Sequence, residues 1–225
     1  MLAATIWCEL RPGEIVTEAD IMERFGLSRA AARSGLTRLG FDGWATSKAR
    51  MGWEILPVTG QLIGDVLEAR RIVEPGLAHV LLSESARAEI AQIEIILTAL
   101  MRGGDQTALG SIRHHVDRID GLLLGAMNPL TARHLRKLWH HSARITHYLE
   151  GGSGTLFRRD DVFDLIHAVL AGDRAGIESA RLALIAAQER YFLHQLLKND
   201  APLLPGSGLA ARGPQENAAP NRRPS

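Results

Sequence analysis

Residues 17–58 read TEADIMERFGLSRAAARSGLTRLGFDGWATSKARMGWEILPV, and their spacing decides the fold. Thr17 stands where a helix N-cap belongs, with Glu18 and Asp20 in the first turn to meet the positive end of the helix. Ile21, Met22 and Phe25 give that helix an apolar face, and Gly26 permits the left-handed residue that ends it. Ser28 then caps a second helix whose inner face is Ala32, Gly35, Leu36 and Leu39, at intervals of three and four. A different face carries Arg29 and Arg33, one turn apart, beside Ser28 and Ala30. Helix, tight turn and helix is the arrangement that lays a second helix in a DNA groove. The plainer reading of the same arginines is a solvated helix face.

The next residues favour the first reading. Trp44–Ala49 and Trp53–Val58 flank Arg50-Met51-Gly52 as two short strands about a turn, with Gly52 free to take a positive φ and Trp53 and Ile55 alternating toward the core. Lys48 and Arg50 fall at the tip, where a wing reaches the DNA backbone or minor groove; a plain edge ribbon is the alternative. Residues 1–58 hold seven Lys/Arg and seven Asp/Glu, so the segment is neutral. Between Ser28 and Arg50, however, Arg29, Arg33, Arg38, Lys48 and Arg50 face only Asp42. One basic edge on a neutral domain suits phosphate binding without indiscriminate adhesion.

The stretch PGEIVTEADIMERFGLSRAAARSGLTRLGFDGW resembles the DNA-binding domain of the GntR family of bacterial transcription regulators. Pro12, Gly13, Glu14, Phe25, Gly26, Ser28, Arg29, Arg33, Leu36, Leu39, Asp42 and Gly43 fall at the family's spacing. The resemblance implies that Arg29 and Arg33 contact bases or phosphates. It also implies that Ser28 helps hold the DNA backbone, that Arg38 adds phosphate contacts, and that Lys48, Arg50 and Gly52 form the wing tip. Ser34 and Gly35 depart from the Glu and Ala common in the family; a glycine inside a helix costs roughly 1 kcal/mol against alanine. Only Met1–Glu9 precede the Pro12-Gly13 turn, so either the first helix is short or the true start lies upstream.

After Val58 the pattern is helical. Gln61–Glu84 reads as one long helix with Ile63, Val66, Leu67, Val73, Leu77 and Val80 inward, kinked at Pro75. Further helices are expected over Ser85–Met101 (closed by Gly103-Gly104), Gln106–Met127, Pro129–Glu150 (capped by Asn128 and broken at Gly151–Gly154), Leu156–Ala171 and Arg174–Lys198. Arg70, Glu74 and Pro75 in EARRIVEPGLAHV, Asn128-Pro129-Leu130 and Gly172-Asp173 resemble the all-helical effector domain, of the FCD type, in the FadR-like GntR subfamily. Such domains bind a divalent metal through one Asp and three His, and the metal helps hold a small carboxylate. Asp117 in Asp117-Arg118-Ile119-Asp120-Gly121 matches the family aspartate, but the histidine of that motif is missing. The remaining ligand positions fall near Val162 and near Leu184 or Ala187. Three of four ligands are lost, so no metal cofactor is expected, although all nine histidines lie between His79 and His194. His114 shares a helix face with Asp117, His140, Arg144 and His147 form a stripe, and His134 and His141 lie seven apart. These read as surface or interface histidines, with a rebuilt metal site as the alternative. Without a metal, Arg70, Arg113 or Arg144 is left to meet a carboxylate, with Asp117 and His141 beside them as effector-site candidates.

The single cysteine, Cys8, excludes an internal disulfide, fits a reducing cytoplasm, and is expected to pack in the first helix. No apolar run reaches the roughly 18 residues of a membrane span, and no signal peptide is read at the N-terminus. Residues 200–225 hold five of the nine prolines and are expected to be disordered. The chain is therefore expected to be mostly α. Residues 1–58 form an N-terminal winged helix-turn-helix with a small β-hairpin wing, and 59–199 a C-terminal all-α antiparallel bundle that binds effector and dimerises. The implied function is a cytoplasmic, homodimeric regulator, repressor or activator, of double-stranded operator DNA, controlled by a small carboxylate and not an enzyme. The alternatives are a helical domain that only dimerises and, far behind, a metal-dependent enzyme using the His-rich helices.

Overall fold

The computed structural model describes residues 1–102, 108–153, 155–159 and 162–198. The N-terminal head comprises α1 (Leu2–Ile6), β1 (Ile15–Val16), α2 (Glu18–Phe25), α3 (Arg29–Phe41), β2 (Ala45–Lys48) and β3 (Gly52–Ile55). The helical part follows as α4 (Gly60–Val73), α5 (Glu84–Arg102), α6 (Leu109–Gly125), α7 (Pro129–Ser153), α8 (Val162–Ala171) and α9 (Arg174–Lys198). The fold is the expected one: a winged helix-turn-helix joined to an all-helical domain. The expected tail over 200–225 lies outside the described residues. Among the described residues no helix is long and apolar enough to cross a membrane.

In the head, local chemistry makes the elements. Thr17 and Asp20 form a reciprocal capping box: Thr17 Oγ1 accepts from the Asp20 amide at 3.2 Å, and Asp20 accepts from the Thr17 amide at 2.7 Å. Gly26 ends α2 in the left-handed region at φ 63°, and the Ser28 hydroxyl caps α3 through the Ala31 amide at 3.3 Å. Ile21, Ala32, Leu36, Leu39, Trp44 and Ile55 bury the interface between helices and sheet. Gly35 is covered by the Met1 side chain, which a Cβ would strike.

The wing is a three-stranded antiparallel sheet in the order β1-β3-β2, with Ala45 opposite Ile55 and Lys48 opposite Gly52. The strand β1 was not legible in the sequence: two residues carry no alternation, and the partner strand alone defines them, pairing Val16 with Trp53. Gly52 is required by that close approach. Its φ is 119°, and a Cβ there would lie 2.5 Å from the Val16 carbonyl oxygen. Arg50 takes the positive φ of the turn itself, 63°.

Several helix bounds differ from expectation. The long helix over 61–84 is in fact two: α4 ends at Val73, Glu74–His79 forms a 3-10 turn with Pro75 near its start, and α5 begins at Glu84. The proline lacks a donor, so it starts the tighter turn rather than kinking a continuous helix. α7 runs through Gly151 and Gly152 to Ser153, and Thr155–Arg159 is not helical, so α8 starts at Val162 rather than Leu156. Asn128 does cap α7, its Oδ1 accepting from the Leu130 amide at 3.0 Å. Cys8 lies past α1, in a turn at φ 58°, its thiol directed to the Arg144 carbonyl at 3.6 Å.

Two clusters fill the helical part. One packs Leu77, Ile90, Leu97, Ile119, Leu123 and Ile166. The other packs Val58, Ile63, Leu67, Ile145, Ile185 and Phe192 between α4, α7 and α9.

Candidate nucleic-acid interface and helical-domain cavity

Ser28, Arg29, Ala30 and Arg33 are all exposed on the first turns of α3, as are Arg38 farther along and Arg50 at the hairpin tip. Arg33 meets Glu18 of α2 (Nε to Oε1, 2.7 Å), Arg38 meets Asp42 (2.6 Å), and Lys48 meets Glu54 (2.7 Å). The hydrogen bond from Arg33 lowers the Glu18 carboxyl. Exposed pairs of this kind contribute about 0–1 kcal/mol, so a phosphate can displace the carboxylate at little cost. Among the described residues Arg29 and Arg50 have no carboxylate partner. Gly52, expected at the wing tip, instead lies within β3 against β1, where its role is to let two strands approach.

The helical domain holds a cavity of about 510 Å³ whose wall includes Arg70, Arg113, Asp117, Asp120, Trp139 and Arg159. Its floor is a buried charge network. Arg70 Nε donates to Glu74 Oε2 (2.7 Å), while its Nη1 reaches Ser142 Oγ at 3.0 Å and the Gln188 side-chain oxygen. Trp139 Nε1 donates to the same Glu74 oxygen at 3.1 Å. Arg181 donates to Asp120 Oδ1 (2.6 Å) and Arg159 to Asp120 Oδ2 (2.8 Å). Burial alone would raise the Asp120 carboxyl, but the Arg159 and Arg181 guanidiniums more than offset it and hold it at about 2. Arg113 forms a bidentate pair with Glu150 and donates to the Phe157 carbonyl at 2.8 Å, tying Thr155–Arg159 to α7.

Of the residues expected to meet an effector, Arg70, Arg113 and Asp117 line this cavity; Arg144 and His141 do not. Both lie on the opposite face of α7 and hold the head. His141 stacks on Trp44 with ring centroids 4.0 Å apart, and the buried Arg144 guanidinium donates to the Leu56 carbonyl just past β3. Burial, then the Arg144 charge, pushes the His141 imidazole down to about 4; burial likewise lowers Arg144 to about 10. The stripe His140, Arg144, His147 is split between two surroundings, because His140 and His147 reach the cavity wall.

Among the described residues the Asp117 carboxyl has no hydrogen-bond partner, and burial followed by the Asp120 charge raises it. The charges acting on it include the Arg159 and Arg113 guanidiniums. Val162, Leu184 and Ala187 supply only hydrocarbon at the other expected ligand positions. Among the described residues no three His, Cys, Asp or Glu side chains gather as a metal site. A carboxylate flanked by guanidiniums does not fit a divalent cation.

No family model matches the chain. A solved structure of E. coli McbR/YncC superposes at a TM-score of 0.67 over 87% of this chain and 94% of its own, with 17% identity. A transcriptional regulator GntR from Rhodococcus sp. RHA1 superposes at 0.57 over 87% and 93%, with 19% identity. The fold is that of the GntR regulators. An uncharacterized HTH-type transcriptional regulator, YdhC of Bacillus subtilis (strain 168), is 23% identical over 142 residues, which is 61% of each protein. The chain thus spans less than two thirds of that curated relative.

Proposed function

We propose that this protein is a DNA-binding transcription regulator, and not an enzyme, that acts as a homodimer in the cytoplasm. The observation that carries the reading is the exposure of Arg29 and Arg33 at the capped end of α3, with Arg50 exposed at the tip of the adjoining hairpin. A two-fold dimer would set two such heads on the half-sites of a palindrome. The cavity of the helical domain is its effector site, and Arg136, exposed in its wall with no carboxylate partner among the described residues, favours a carboxylate bound without a metal. An effector that prefers one arrangement of head and bundle shifts the population of DNA-binding-competent dimers.

The test is an operator selected from random duplexes by the purified protein and titrated by fluorescence anisotropy. Arg33→Ala is expected to weaken binding by at least about 1 kcal/mol, roughly fivefold. Selection of no sequence, or undiminished binding by both Arg29→Ala and Arg33→Ala, overturns the reading.

A further inference from the structure

The cavity of the helical domain is not built from that domain alone. Ile6 and Trp7, from the end of α1 and the residue after it, contribute to its wall. They are held there by α7. His147 Nδ1 lies 2.9 Å from the Ile6 carbonyl oxygen, and the Trp7 indole stacks on the His147 ring with centroids 4.1 Å apart and planes 14° from parallel. The same short segment continues into the Cys8 turn, whose thiol reaches the Arg144 carbonyl. Trp7 is nevertheless 62% exposed. One face of a large apolar ring is covered, and the rest stands open beside a cavity, in contact with water at a free-energy cost that an occupant would remove.

Trp7 shares the wall with Trp139, His140, His147 and Phe157. Five flat rings interspersed with guanidiniums suit a flat, anionic molecule, since guanidinium and indole planes both accept stacked rings while the cations meet the carboxylate. Trp7 directly follows α1, which is part of the head and contributes Ala4 to its core with Leu10, Leu36 and Trp44.

We propose that Trp7 is a ligand-contacting residue of this cavity, selective for an aromatic carboxylate, and that its stack on His147 carries cavity occupancy directly to the DNA-binding head. The proposal rests on the cavity being the effector site. An occupant lying against the indole must either press it onto His147 or lift it off, and α1 moves with it. By linkage, the ligand then changes operator affinity and operator changes ligand affinity by the same factor.

The test uses the full chain labelled with 5-fluorotryptophan, the Trp7 resonance being assigned by its loss in Trp7→Phe, and benzoate as the probe. Benzoate is expected to move the Trp7 and Trp139 fluorine resonances together, along one binding curve. In calorimetry Trp7→Ala is expected to weaken benzoate binding about tenfold or more and to abolish any benzoate-induced change in operator affinity, with Trp7→Phe restoring most of both. Movement of Trp139 without Trp7, or a Trp7→Ala chain that binds and responds like its parent, overturns this inference and leaves the effector cavity standing. A parent chain in which benzoate moves neither resonance overturns the effector-site reading along with it. The fluorine measurement on the parent decides the matter even where Trp7→Ala fails to fold.

Discussion

In the head, the arginines assigned to DNA stand in water: Arg29, Arg33, Arg38 and Arg50 are exposed, and such carboxylate partners as they have are on the same surface. In the helical domain, Arg70 and Arg181 are buried, and each is clamped to carboxylates that are themselves buried or nearly so. The same side chain therefore does opposite work in the two regions. An exposed guanidinium keeps most of its hydration, so its pairing is weak and it stays available to a phosphate. A buried one has lost that hydration and depends on its protein partners: Arg70 bonds through all three nitrogens, whereas Arg181 bonds through Nη2 and, among the described residues, leaves Nε and Nη1 without a hydrogen bond. The difference teaches which charges are free to bind and which are committed to holding the cavity's shape.

The largest expected effect breaks the buried side of this contrast. Arg181→Ala strands Asp120 and Glu74 without one of their cations, and should destabilise the fold by about 3–5 kcal/mol in urea unfolding. Arg38→Ala, on the exposed side, should cost less than about 1 kcal/mol. Equal costs for the two would dissolve the distinction.

Acid probes the junction between the regions. His141 is held neutral in the fold, with a value near 4 against 6.5 for a free imidazole. Its depressed value means that stability is complete above about pH 6.5 and is lost as pH falls toward 4, because the unfolded chain takes up the proton first. The loss should reach about 3 kcal/mol, and His141→Phe, which keeps a ring against Trp44, should flatten the curve in that window. Asp120, held at about 2 against 3.8, adds a second loss of about 2 kcal/mol between roughly pH 4 and pH 2. Arg181→Ala should shrink that lower step.

The smallest effect sharpens the exposed side. Arg50→Ala should weaken operator binding almost equally on all sequences and reduce the slope of log affinity against log salt by about 1. A change in sequence preference instead would make Arg50 a base-reading residue.

Much of the head was legible because its signals are local. A capping pair three residues apart, a glycine at the turn and apolar residues at helical spacing specify α2 and α3 without reference to the rest of the chain. The bundle was legible as helices, but not in their ends. Pro75 announces an interruption without saying whether the helix bends or stops, and Gly151 and Gly152 permit a break that α7 does not take. The candidate effector residues were half legible for a related reason. Spacing puts Arg144 in one stripe of its helix and His141 in another, and only the arrival of Trp44 and Leu56 joins the two at the junction with the head. Trp7 could not have been found this way, since its partner His147 is 140 residues away in the chain.

By itself, then, the amino-acid order determined a capped helix-turn-helix with a basic edge, a wing, and a helical remainder. Tertiary structure alone decided which arginines are buried, which wall of α7 meets the cavity, and that the head supplies part of that wall. Helix caps and turns depend on neighbours a few residues away, whereas hydration and pairing of a charge depend on whatever distant segment happens to cover it.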